Sequence, residues 1–199
     1  MRRRKFSWST VYLIFVFILL YIPIFYLIFY SFNQGGNMST FTGFTWEHYQ
    51  SLFSDSRLIS IVVQTFVLAF LSALLATIIG TFGAMGIYYT RKRNSRNVLL
   101  GLNNILMVSP DVIIGASFLI LFTMLGGVLK NFQLGFVSVL LSHIAFSIPI
   151  VVLMVLPKLK EMNDSMIDAA RDLGANNFQV LSNIILPFLT PGIIAGYFM

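Results

Sequence analysis

The chain of 199 residues contains no cysteine. Disulfide frameworks, thiolate metal sites and cysteine nucleophiles are therefore excluded. It has only two histidines, His48 and His143, far apart in sequence, which argues against a structural zinc site. Charge is scarce. Asp, Glu, Lys and Arg make up 10% of the residues, against about 25% in an average soluble domain. No Gly-Lys dipeptide occurs, so no phosphate-binding P-loop is present. No acid/base or nucleophilic group has a partner at a useful spacing. The chain is thus read as not an enzyme, with no cofactor and no metal.

What fills the chain instead is apolar. Hydrophobic residues make up 57%, and there are 20 Phe and 8 Tyr. Charges sit in clusters between long uncharged runs. Phe6 to Trp46, Leu58 to Thr90, Asn131 to Pro157 and Leu173 to Met199 carry none, and Asn97 to Leu129 carries only Asp111. Crossing a hydrocarbon core takes about 20 apolar residues in a helix. Five membrane segments follow, at about 10–31, 61–88, 98–125, 133–156 and 181–199. Barrel strands would alternate polar and apolar residues, and runs such as "LIFVFILLYIPIFYLIFY" do not. The fold class expected is all-α, a polytopic helical bundle forming one membrane domain over 1–199.

Orientation follows from Lys and Arg. Of 13 basic residues, 11 lie before the first segment, between the second and third, or between the fourth and fifth. Only Arg57 and Lys130 lie on the other side. The N-terminus is expected in the cytoplasm, as are the 91–97 and 157–180 loops. The first apolar run is too long for a cleaved signal peptide, and no Ala-x-Ala site follows, so it reads as an anchor. Trp8, Tyr12, Tyr30 and Trp46 suit the two interfaces. Beyond the first segment, Gly35-Gly36 marks a turn and "FTWEHYQSLF" reads as a short amphipathic helix on the outer surface. The Asn37-Met38-Ser39 sequon reads as chance.

Within the membrane segments, Ala73, Ala76, Gly80, Gly83 and Gly86 form a small-residue stripe that favours close helix packing. Pro110 favours a kink in the third segment. Asp111 follows it, about 20 Å along that helix from Asn97 and so near or past the midplane. A carboxylate there costs about 2.5–3.5 kcal/mol on insertion scales. Two readings stand level: a structural cap, or a cation contact on a transport path. His143 is read as a neutral packing histidine and Pro149 as a kink. In the loop "KLKEMNDSMIDAARDLGANNFQVLSNIILP", Met162, Met166, Ala169, Ala170 and Leu173 recur at helical spacing. Asp164 or Ser165 is placed to cap a short helix, and Gly174 to supply a left-handed C-terminal turn. The polar face carries Asp164, Asp168 and Asp172 against Arg171, which suits a protein partner better than anionic lipid.

This loop resembles the coupling motif of ABC-importer permeases: Glu-Ala-Ala, three residues, Gly, nine residues, then Ile-x-Leu-Pro. Asp168-Ala169-Ala170, Gly174, Ile184 and Leu186-Pro187 fall at those spacings, with Asp168 in place of the usual Glu. "YIPIFYLIFYSFN", "SPDVIIGASFLILF" and "LSHIAFSIPIVV" extend the likeness to the spermidine/putrescine permeases of the PotC type. The resemblance implies a multi-pass permease of the bacterial cytoplasmic membrane. It implies a second homologous permease, a cytoplasmic ATPase dimer that hydrolyses the ATP, and an external polyamine-binding protein. The long uncharged runs imply membrane lipid around the chain, and the clustering of charge between them argues against a nucleic-acid partner. It implies six membrane helices, so a sixth is expected beyond Met199 and the chain reads as C-terminally truncated. On this reading 157–183 is the coupling loop, with Met166, Asp168, Ala169, Ala170, Leu173 and Gly174 at the ATPase; Asp111, from its own position in the third segment, is the candidate for the substrate path. Competing readings are a permease for another small solute, a membrane-embedded enzyme and a non-transporting assembly protein.

Overall fold

The computed structural model describes residues 8–128 and 134–199. Among these the regular structure is helical, apart from one isolated bridge between Asn33 and Phe44. Four helices are long and apolar enough to cross a membrane, and a bent pair makes up to five spans. Contacts divide the chain into two units, 1–64 and 65–199.

In the first unit, α1 (Trp8–Tyr30) is apolar on every side and has no buried residue. Such a helix is satisfied only by lipid or by another subunit. The loop after it is organised by Asn33, which is 1% exposed. Its Nδ2 donates to the carbonyls of Asn37 (2.7 Å) and Thr40 (2.8 Å), and its Oδ1 accepts from the Thr42 amide (2.8 Å). His48 Nε2 lies 2.9 Å from the Asn33 carbonyl. Phe32, Phe44, Trp46 and Tyr49 stack around this loop. The amphipathic stretch read from sequence is α2 (Glu47–Ser54).

α3 (Ser56–Tyr89) has 34 residues, a length of about 50 Å at 1.5 Å per residue. Its buried face is Ser72, Ala76, Thr77, Gly80, Thr81, Ala84 and Ile87. The small-residue stripe is thus right at Ala76 and Gly80, whereas Gly83 and Gly86 are exposed. Successive steps of three and four drift around a helix with 3.6 residues per turn, and Ala84 and Ile87 hold the packed side. At Gly80 a Cβ would sit 2.7 Å from the Val151 Cβ, so glycine is what allows this approach.

The third expected segment is not one kinked helix. α4 (Arg93–Val108) and α5 (Asp111–Val128) meet at 106°. The cause is local. A residue before proline is pushed out of the helical region, and Ser109 has φ −72°, ψ 139°. Its Oγ donates to the Ile105 carbonyl at 2.7 Å, which helps close the end of α4.

α6 (Phe136–Glu161) runs unbroken through Pro149 and Pro157 and ends five residues beyond the expected segment. It carries the centre of the core: Val151, Val152, Val155, Leu156 and Leu159 are buried. α9 (Leu186–Phe198) packs along it. Gly192 and Gly196 make that possible, because Cβ atoms there would meet the Met154 carbonyl at 2.9 Å and the Val151 Cα at 3.2 Å. Between α6 and α9 lie α7 (Ser165–Asp172), α8 (Asn177–Val180) and a π turn over Leu181–Ile185. The Leu186 amide donates to the Leu181 carbonyl, five residues back. Pro187 follows at once and cannot donate, so the widened turn sits where the helical ladder is already interrupted.

Candidate functional site

Two places gather the residues singled out from sequence. The first is a cleft between α5 and α6 of about 210 Å3, lined by Asp111, Ile114, Gly115, Phe118, Ser142, His143 and Phe146. Asp111 is the first residue of α5, where a carboxylate faces the positive end of the helix dipole. The 106° turn corrects its expected position, since a linear rise from Asn97 does not pass through the break at Ser109–Pro110. Asp111 is exposed on the cleft.

The structure also brings His143 to this cleft. The histidine makes a hydrogen bond, Nδ1 lying 2.8 Å from the Val139 carbonyl one turn back. The hydrogen bond expected of it is present, but within this chain His143 is exposed rather than packed. Phe118 and Phe146 add two aromatic faces. The sequence held a signal for this grouping only in part. Asp111 and His143 are 32 positions apart, and only the α5–α6 pairing joins them.

The second place is the α7 region. Asn163 Oδ1 accepts from the Ser165 amide at 3.0 Å, so Asn163 provides the cap expected of Asp164 or Ser165. At the other end Gly174 has φ +85°, as expected of a left-handed terminator. The Gly174 amide donates to Arg171 (2.9 Å) and the Ala175 amide to Ala170 (3.0 Å), the paired bonds of a Schellman turn. Asn176 and Gln179 then exchange side-chain bonds with each other's amides, at 2.9 and 2.8 Å, which starts α8 with a capping box.

This framework splits the apolar stripe into two faces. Ile167 is buried, and Ala170 packs on the same core. Met162 is core as well. Met166, Ala169 and Leu173 face outward, Leu173 being 90% exposed. Met162 and Ala170 therefore do not belong to an outward apolar face, contrary to expectation. The helix is held down by Ile167, which the sequence reading passed over. Phe178, 74% exposed, is a further outward apolar residue close in sequence. Asp164, Asp168 and Arg171 line a cavity of about 630 Å3 together with Tyr89, Asn177 and Leu181.

Comparison with known proteins fits these features. The family of binding-protein-dependent transport system inner membrane components matches residues 76–199. That stretch contains the α5–α6 cleft and the whole α7 region. The spermidine/putrescine transport system permease protein PotC of Haemophilus influenzae is 35% identical over 195 residues, covering 98% of this chain and 74% of that protein. PotC of Escherichia coli (strain K12) is 38% identical over 182 residues, covering 92% and 67%. The putrescine transport system permease protein PotI of the same strain is 31% identical over 193 residues, covering 96% and 69%. The chain belongs to the binding-protein-dependent transport system inner membrane component family. It is a multi-pass membrane permease that works with other subunits of an importer, and not an enzyme.

Proposed function

We propose that this permease carries polyamines, spermidine or putrescine, and that the α5–α6 cleft is a point on their path. The relatives supply the substrate class, since PotC and PotI are named for those cations. The cleft supplies the observation that carries the reading: a carboxylate, an imidazole and two phenyl rings line it, and among the described residues no Lys or Arg does. An ammonium group gains from a carboxylate where water is scarce and from aromatic faces within about 6 Å. Asp111→Asn should therefore cut ATP-driven polyamine uptake by tenfold or more, as about 1.4 kcal/mol of lost attraction would, while the protein still assembles. Normal uptake by a well-expressed Asp111→Asn complex would remove Asp111 from the path.

The α7 region is proposed as the coupling element. Met166, Ala169 and Leu173 form its apolar contact with the ATPase, Asp168 its charged contact, and Gly174 the angle between α7 and α8. Ala170 supports this surface from behind. The partners are a second permease, a cytoplasmic ATPase dimer and an external polyamine-binding protein. The distribution of Lys and Arg supports a cytoplasmic N-terminus and a cytoplasmic α7.

A further inference from the structure

We propose that His143 is the second recognition residue of the Asp111 cleft, accepting a substrate N–H on its Nε2 lone pair. This rests on the reading of that cleft as part of the substrate path.

The tautomer carries the argument. His143 Nδ1 lies 2.8 Å from the Val139 carbonyl oxygen. A carbonyl only accepts, so Nδ1 holds the proton. The neutral ring then has its lone pair on Nε2, and the exposed ring lines the cleft with Asp111. Ser142 Oγ donates to the Ser138 carbonyl at 3.0 Å, which leaves its oxygen as an acceptor. The polar side chains of the cleft thus offer a carboxylate, an imidazole lone pair and a hydroxyl oxygen. Phe118 and Phe146 add electron-rich faces. With the carboxylate among them, these acceptors suit a cation rich in N–H donors, as a primary ammonium is.

The test uses the assembled importer in vesicles, with labelled putrescine taken up at neutral pH. His143→Leu removes the acceptor and should raise the putrescine concentration for half-maximal uptake by about tenfold, the size of a hydrogen bond to a charged group. His143→Gln restores an acceptor and should return that concentration to near the wild-type value. Asp111→Asn in the same series tests the cleft itself. If Asp111→Asn is inactive while His143→Leu keeps the wild-type half-maximal concentration, the cleft stands and the role of His143 is overturned. If Asp111→Asn and His143→Leu both transport normally, the cleft is not on the path and both readings fail.

Discussion

At Gly174 the backbone takes φ +85°, a region that costs a residue with a side chain about 1–2 kcal/mol. Gly174→Val should lower the melting temperature in detergent and tilt α8 against α7, which purification of the complex would register as weakened ATPase binding. Asn33 matters for a different reason. Buried at 1% exposure, it bonds Asn37, Thr40 and Thr42 at once. Asn33→Ala leaves those partners unmet and should destabilise the loop by about 2 kcal/mol or more, seen as faster proteolytic cleavage between residues 34 and 45. The two residues differ in how far their sequence announces them. A glycine after a helical run is a recognised stop, so Gly174 was readable. Asn33 bonds across an irregular loop, and no periodic pattern marks its partners. The pairing of Asp111 with His143 was hidden for the same reason, because it depends on which helices pack.

At the scale of elements, α7 separates anchoring from contact. Ile167 is buried and Leu173 is 90% exposed on the same eight-residue helix and its cap. Ile167→Ala should cost about 2–5 kcal/mol, the range for deleting a buried aliphatic chain. Leu173→Asp should change stability by less than about 0.5 kcal/mol yet abolish co-purification of the ATPase. A Leu173→Asp permease that retains the ATPase and full transport would show that this face is not the coupling surface. Helical spacing in the sequence located the element and its ends. It did not assign the faces, since Met162, Met166, Ala170 and Leu173 are all apolar and only packing on the buried core separates them. The α4–α5 corner shows the same limit. Ser109-Pro110 marked a disturbance, but the 106° turn between α4 and α5 was not readable from the two residues.

For the whole molecule, composition alone gave a helical membrane protein, because runs of apolar residues leave no other way to satisfy the backbone in lipid. The inside and outside rest on the basic residues. Single cysteines at Ser95 and Ser165 should stay unlabelled by an impermeant external thiol reagent, while Ser39→Cys should label; labelling of Ser165→Cys in intact cells would invert the topology. α1, with no buried residue, requires a neighbour or lipid along its length, in keeping with a chain that works inside a larger assembly. The central claim is that this assembly imports polyamines. The most direct measurement is ATP-dependent accumulation of labelled spermidine and putrescine in vesicles containing the reconstituted importer and its binding protein, with an unrelated anion and a sugar as controls. Polyamine is expected to accumulate, neither control to do so, and Asp111→Asn to lower the accumulation at least tenfold. Accumulation of a control solute with no polyamine uptake would contradict the claim.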